Sequence, residues 1–509
     1  MIYNFFKINY KKCLKFYSIF VFTAVFIISL RHYLSMGIYA APSEQPASAL
    51  NSAAENISYE KYYSSELLAE QAGSNADSGS GINKSDNQAA AGISTSTTVL
   101  QENNSSATEK SAFKINSLYA KYACLMDGDN HRVLIGKDAD KAVPMASTTK
   151  IMTCIIALEY GYKELPCTTS AYAASMPDVQ LNLKKGDSYQ LIDLLYSLML
   201  KSHNDSAVVI AENVAYNYIS NVKAGKCDDI IGIKDSLPDT LPADTTFIKE
   251  LSTDNSKLLV GIFTKLMNYK AKSLGCTNTY FITPNGLDAK DDYGEHSTTA
   301  RELAVIMDYC ISNADFLTIT QTKGHSFGPY TISNSNAFLS MYPDIISGKT
   351  GFTGNAGYCY VCAYRQDGRT FIVTLLACGW PNNKTYKWHD AKLLLNEARN
   401  SYYSRSIVDT TPVSKTVPVK NGTQGSISLY YDDTYSALIS NNDTVNVTYN
   451  IPETIEAPIS KGDEVGNISV YINDELFKTI PLCSNDDVIR TDWLYYLKTL
   501  INPFLFIDK

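Results

Sequence analysis

At 509 residues the chain is too long for one ordinary hydrophobic core, so two or three domains with tails are expected. Its 44 basic and 52 acidic residues give a net charge of -8 without a long basic run, which argues against a nucleic-acid partner. The 11 cysteines are odd in number, scattered and mostly flanked by apolar residues, so they read as buried thiols and not as a disulfide framework. Cys359 and Cys362 have the spacing of half a zinc site, but no second pair accompanies them and no metal is expected. In a strand, positions three apart point to opposite faces, so the two thiols should diverge.

In chain order, Lys7, Lys11, Lys12 and Lys15 precede an apolar stretch from Phe16 to Leu30, then Arg31-His32 and small residues at Ala40-Ala41. This is the pattern of an export signal over 1–41, cleaved or retained as an N-terminal anchor. The apolar run falls short of the roughly 18 residues expected of a spanning helix. Either outcome places the rest of the chain outside the cytoplasm. Residues 42–112 are rich in Ser, Ala, Asn, Gln and Glu without aliphatic periodicity, and predict a disordered linker.

From 113 to 404 the pattern is that of a folded domain. Ala120–Met126 and Val133–Ile135, joined by Asp127-Gly128-Asp129-Asn130, read as two strands and a turn. Ser147–Tyr160, Leu191–Leu200 and Ala207–Val214 read as helices. An irregular insertion follows from Ala215 to Lys257, a long loop for a compact domain, and is expected to reshape one rim of a cleft. Helical periodicity resumes over Leu258–Leu274 and Thr299–Ile311. Ala356–Tyr364 and Thr370–Cys378 read as antiparallel strands, and Tyr386–Tyr402 as the closing helix. Short alternating strands over 405–485, such as Thr444–Tyr449, predict a small β-sandwich. In the last segment, 486–509, Trp493, Leu494, Leu497, Leu500 and Ile501 share one helical face, followed by Phe504–Ile507. A helix lying on a membrane surface and a helix packed against the β domain both fit that pattern.

Three motifs carry the chemistry: Ser147-Thr148-Thr149-Lys150, Ser202-His203-Asn204 and Lys349-Thr350-Gly351. Each is weak alone, and Ser111–Lys114 and Ser85-Asp86-Asn87 are decoys in polar, low-complexity sequence. The trio is embedded in apolar sequence and keeps the order S-x-x-K, S-x-N, K-T-G of serine acyl-transferases that act on penicillins or the peptides they imitate. Ser147 and Lys150 are three apart, hence neighbours on a helix face. A serine hydroxyl needs a base, and Lys150 can serve once burial and a second cation lower its pKa. Lys349 is that cation. Ser202 can relay a proton to the leaving amine, and Asn204 can meet the substrate amide. Lys349 and Thr350 would receive a terminal carboxylate, while Gly351 lets a substrate backbone lie along the strand. Backbone N–H groups of Ser147 and Phe352 could hold the oxyanion.

With these residues in place, the chain resembles the low-molecular-mass penicillin-binding proteins, D-alanyl-D-alanine carboxypeptidases of serine peptidase family S11, over roughly Tyr119 to Cys483. Pro144–Thr153, Asp193–Tyr196 leading to Lys201–Asp205, Thr283–Leu287 followed by His296–Ala300, and Ser347–Thr353 carry the resemblance. It implies an α+β fold: a transpeptidase/β-lactamase-like domain with an antiparallel sheet of five strands flanked by helices, a helical lobe carrying the second motif, and a small all-β domain after it. It implies removal of terminal D-alanine from peptidoglycan pentapeptides through an acyl-enzyme on Ser147, with no cofactor, and β-lactam antibiotics as covalent inhibitors. Its partners would be stem peptides ending in D-Ala-D-Ala and a membrane surface met by one or both terminal segments.

The chain departs from the family at His203, where Gly is usual and an exposed spacer is expected here. His296 is expected to be a structural, hydrogen-bonding residue. A β-lactamase would need a deacylating Glu; Glu212 comes too early after Asn204 to be that residue. A D,D-endopeptidase or a non-catalytic wall-binding scaffold would share the fold, and loss of Ser147, Lys150 or Lys349 would have pointed to the scaffold.

Overall fold

The computed structural model describes residues 93–99, 113–237, 240–409 and 415–501. The expected export segment, the Ser85–Asn87 decoy and the Phe504–Ile507 run lie outside the described residues.

The larger domain is built on one antiparallel sheet of five strands. β1 (Tyr122–Asp127) and β2 (Val133–Lys137) form the first hairpin, and β3 (Ile345–Thr353), β4 (Gly357–Gln366) and β5 (Arg369–Leu376) a later meander. The spatial order is β2-β1-β5-β4-β3, so β3, which carries Lys349, is an edge strand. Alternation along β4 splits its side chains between two cores. Cys359, Val361 and Ala363 face the helical lobe, while Tyr360, Cys362 and Tyr364 face the opposite layer. The two thiols of the Cys359–Cys362 pair therefore diverge, as expected.

Among the described residues, seven helices of six or more residues pack around this sheet: α1 (Lys150–Tyr160), α2 (Leu191–Tyr196), α3 (Asn204–Lys223), α4 (Thr253–Ser273), α5 (Ala300–Ile311), α6 (Ala314–Gln321) and α7 (Tyr386–Ser401). α1 is buried along nearly its whole length, which requires its apolar residues on every side. α5 starts where Thr299 accepts the backbone N–H of Glu302, a side-chain cap that Ser/Thr supply well. α3 runs nine residues beyond the expected end at Val214, because Tyr216, Tyr218, Ile219 and Val222 continue its buried face. The insertion that follows packs onto the lobe through Ile233, Phe247 and Ile248. Contrary to expectation, none of its described residues lines the cleft beside Ser147, since its apolar residues draw it onto the core.

The C-terminal region forms a sheet of seven strands with a core of Val417, Ile427, Val447, Ile468, Ile480 and neighbours. One of its edge strands is Ile93–Val99, paired antiparallel with Val445–Pro452. That stretch falls inside the expected linker. Its run of β-branched residues favours a strand despite the lack of an aliphatic pattern. The β domain docks on the β1–β2 hairpin: buried Arg132 pairs with Asp443 and donates to the Leu438 carbonyl at 2.6 Å, and Tyr402 Oη donates to the Leu134 carbonyl at 2.7 Å. α8 (Trp493–Ile501) buries none of its residues and exposes Trp493, Tyr496 and Leu500.

Candidate active site

Ser147 sits on a 3-10 turn, Ala146–Thr149, which runs directly into α1. Lys150 is the first residue of that helix and is fully buried. Its Nζ lies 2.9 Å from Ser147 Oγ, 2.9 Å from Asn204 Oδ1 and 2.5 Å from the Asn285 carbonyl oxygen. Asn204 cannot turn away, because its Nδ2 donates to the carbonyls of Pro177 and Asp178 at 3.0 and 3.1 Å. As an ammonium, Lys150 donates to all three acceptors. As a neutral amine it keeps two N–H groups, matched by Asn204 and Asn285, and the remaining lone pair faces Ser147 Oγ. Burial, and then the nearby Lys349 charge, hold Lys150 well below the ordinary lysine range, which favours that neutral form.

Lys349 lies on edge strand β3, 2 % exposed, with Nζ donating to Ser202 Oγ at 2.8 Å and to the Thr350 carbonyl at 2.8 Å. Burial draws its pKa down to about 7. Ser202 follows a π-helical turn, Ser197–Lys201, and adopts φ +68°, a left-handed backbone that is uncommon outside glycine. Strained residues of this kind collect where a side chain must be aimed.

β3 approaches Ser147 closely. A Cβ on Gly351 would lie 2.9 Å from the Ser147 nitrogen and 3.0 Å from the Thr148 nitrogen. The missing side chain of Gly351 thus makes room for the turn that holds the serine, a different need from the substrate contact expected of it. Gly348 is equally constrained: a Cβ there would meet Asn336 Nδ2 at 2.6 Å and Tyr360 Oη at 2.9 Å.

The structure gathers Ser147, Ser202, Lys349, Thr350, Gly351 and Phe352 around one cleft of about 550 Å³. Lys150 and Asn204 stand behind its wall, against Ser147. Asn204, expected to meet the substrate, has its amide engaged by Lys150 and the 177–178 carbonyls instead. Phe352 is 41 % exposed and tilts against Tyr358, with ring centroids 4.7 Å apart.

Four features have no sequence motif. The Asn285 carbonyl is a backbone group, which no side-chain pattern announces. Lys384, Lys387 and Trp388 line the far end of the cleft. Lys387 is nearly buried, its Nζ 4.6 Å from the Trp388 ring and 4.7 Å from the Tyr358 ring, and burial lowers its pKa. With Lys201 and Lys349, these lysines make the cleft strongly attractive to an anion.

His203 is not an exposed spacer. It is 7 % exposed, with Nδ1 2.7 Å from Ser197 Oγ, which in turn lies 2.8 Å from Ser206 Oγ. Burial lowers its pKa to about 4, so its ring is neutral at ordinary pH. His296 is buried and hydrogen-bonded at both ring nitrogens, the structural role expected of it. Glu212 is fully buried, accepts from Ser170 Oγ at 2.8 Å and does not line the cleft. Burial raises it to about 8, so it is a neutral acid at pH 7 and cannot activate water as a lactamase Glu does.

Comparison with known proteins agrees with this geometry. The profile of the Peptidase S11 family, D-alanyl-D-alanine carboxypeptidase, matches residues 105–228 and 260–378, and that of the penicillin-binding protein 5 C-terminal domain matches 402–490. D-alanyl-D-alanine carboxypeptidase DacB2 of Mycobacterium tuberculosis is 30 % identical over 259 residues, covering 49 % of this chain and 72 % of the relative. The chain belongs to the S11 D-alanyl-D-alanine carboxypeptidase family. DacF of Bacillus subtilis is 24 % identical over 392 residues, 74 % of this chain and 88 % of that protein. The crystal structure of penicillin-binding protein 5 from Haemophilus influenzae superposes with a TM-score of 0.55 at 21 % identity, covering 73 % of this chain and 98 % of the other, a likeness of fold. Residues 229–257 of the insertion fall in the gap between the two matched stretches of the S11 profile. This S11 enzyme is therefore a serine-type D-Ala-D-Ala carboxypeptidase with a transpeptidase-like α+β domain and a C-terminal β domain.

Proposed function

We propose that Ser147 attacks the penultimate D-alanine carbonyl of a peptidoglycan stem peptide and releases the terminal D-alanine. The observation that carries this reading is the meeting of Ser147 Oγ with a buried, low-pKa Lys150, in a cleft whose other wall holds Lys349. Neutral Lys150 takes the Ser147 proton as the Oγ–C bond forms. The carbonyl oxygen then carries the negative charge, held by backbone N–H groups of Ser147 and Phe352. As the C–N bond breaks, Ser202, hydrogen-bonded to Lys349, passes its proton to the departing amine and is replenished with the proton that Lys150 took, which leaves Lys150 neutral again. Lys349 and Thr350 receive the terminal carboxylate, and Lys387 adds to the positive field at that end. Water then cleaves the ester, which returns the proton to Ser147. Asn204 serves by orienting Lys150. β-Lactams would enter as acylating substrates that stall at the ester.

The same reading places the enzyme outside the cytoplasm, where its substrate lies. The limits 113–404 for the catalytic domain and 405–485 for the β domain belong to this proposal. The exposed apolar face of α8 fits a membrane surface, and among the described residues no single helix is long and apolar enough to cross one. The experiment is D-alanine release from a Lys-D-Ala-D-Ala peptide alongside labelling by a fluorescent penicillin. Release and labelling are expected, both lost in Ser147→Ala. Labelling that persists in that variant would remove Ser147 as nucleophile; rapid penicillin turnover would favour a lactamase, and neither activity a scaffold.

A further inference from the structure

His296 is 2 % exposed, and its hydrogen bonds define its tautomer. Nδ1 receives the backbone N–H of Ile282 at 3.0 Å, and that of Thr283 at 3.4 Å, so it carries no proton. The proton is on Nε2, which lies 2.8 Å from Thr149 Oγ1 and donates to it. Thr149 Oγ1 in turn donates to the Ala146 carbonyl at 2.9 Å. One imidazole therefore spans two segments that are far apart in sequence: the loop Phe281–Gly286 and the turn Ala146–Thr149.

Both segments touch the reacting groups. The turn carries Ser147, and Ala146 beside it holds a left-handed backbone at φ +49°. The loop supplies the Asn285 carbonyl that accepts from Lys150, and its Pro284 carbonyl accepts from Thr153 Oγ1 at 2.6 Å. The two pack so tightly that a Cβ on Gly286 would lie 2.1 Å from the Ala146 oxygen. A shift of the loop relative to the turn would move the Asn285 acceptor while Ser147 stayed in place. Lys150's free lone pair would then point elsewhere.

We propose that His296 is a positioning residue for the general base: as its Nε2–H tautomer it fixes the Asn285 carbonyl relative to the Ser147 turn, and so aims the Lys150 lone pair at Ser147 Oγ. This rests on the reading of Lys150 as the base. The ring touches no part of the cleft, so it acts only through Thr149 and the loop. Burial holds it at about 3, which keeps it neutral through the working range; the charged group facing it is Lys150. Misaligning a reacting group by about 1 Å can cost on the order of a hundredfold in rate.

The test separates the acylation rate constant from noncovalent penicillin affinity by stopped-flow, in the full chain, with active sites titrated. His296→Phe keeps the ring and removes both of its hydrogen bonds; Thr149→Val removes the acceptor for Nε2–H together with the Oγ1 bond to the Ala146 carbonyl; His296→Asn restores an acceptor for Ile282. The phenylalanine variant should lose about a hundredfold in rate constant per active site with affinity unchanged. The valine variant should lose about tenfold, the double variant no more than the phenylalanine one, and asparagine should recover most of the rate. A structural defect alone would lower the titrated fraction and leave the rate constant intact. The proposal is overturned if Thr149→Val, which changes little volume, acylates at the parent rate, or if the two losses simply add. Lys150→Gln is run in parallel. Acylation surviving there sinks the reading of Lys150, whereas its loss there with parent rates in the other variants sinks only the role of His296.

Discussion

The two folded halves of the enzyme treat buried polarity in opposite ways. The catalytic domain hides Lys150, Lys349, His296, Glu212 and Asp390, whereas the buried polar residues of the β domain are only Ser469 and Ser484 among those described. Removing a charge from water is costly unless it is paired or neutralised. In the proposed mechanism that cost has a use, because a lysine becomes a base only when burial disfavours its charge. The β domain has no such task, and its interior is filled by Val, Ile and Leu. One half is built for reactivity and the other for stability.

The sharpest way to break this contrast is to remove the reactive group. Ser147→Ala should abolish penicillin labelling and reduce D-alanine release by a factor on the order of 10⁴ or more, with the melting temperature nearly unchanged. A large loss of stability would mean that the serine is structural. Next in size is the joint between the halves. Arg132→Ala leaves half-buried Asp443 without its cation, although Ser440 and Asn473 still donate to it, and should cost about 1–3 kcal/mol of stability by denaturant titration. Acylation per active site should be unaffected. If the rate constant falls as well, the β domain has a hand in the chemistry.

A pH series follows from the same burial. Lys150 must lose its proton to act and Lys349 must keep its own to hold a carboxylate, so kcat/KM should rise and then fall with pH. The falling limb should begin near pH 7, where burial has drawn Lys349, and approach about tenfold per pH unit. A substrate whose terminal carboxylate is amidated should lose most of that limb. Stability should respond in the opposite region. His296 binds a proton at about 3 when folded and at 6.5 when unfolded, so the unfolded chain holds more protons between those values. Stability therefore falls as pH drops through that window. His296→Phe should flatten this part of the stability curve.

How much of this was legible in the sequence follows the same divide. That Ser147, Lys150, Ser202 and Lys349 belong together was legible because residue types able to react, in a fixed order, are rare by chance, and the structure brings them to one place. Strands β4 and β5 were legible from their apolar runs, and the all-β domain from its short alternating segments. The Asn285 carbonyl was not, since any residue could supply it; Lys387 was not, being one of 44 basic residues with no spacing to mark it. The strand Ile93–Val99 lacks the aliphatic alternation that signals burial, and its pairing is set by an edge that only the folded β domain provides. The end of α3 was misplaced because Tyr and Asn after Ala215 are poor helix formers, and tertiary packing overrides that weak preference.

His203 gives the smallest test, because a residue inside the second motif is neither reactive nor merely spacing. Its ring joins Ser197, at the start of the π-helical turn, to the residue just after Ser202. The bond closes a loop around a serine held in a left-handed backbone, and Ser206 braces the same hydroxyl. His203→Ala should cost about 1 kcal/mol of stability for the lost hydrogen bond, and about fivefold in acylation as Ser202 drifts from Lys349. His203→Asn, which can place an amide where Nδ1 lies, should recover most of both. Ser197→Ala should reproduce the alanine effect, and the double variant should cost little more than either. If His203→Ala instead matches the parent in both measurements, the left-handed backbone at Ser202 is held by packing alone.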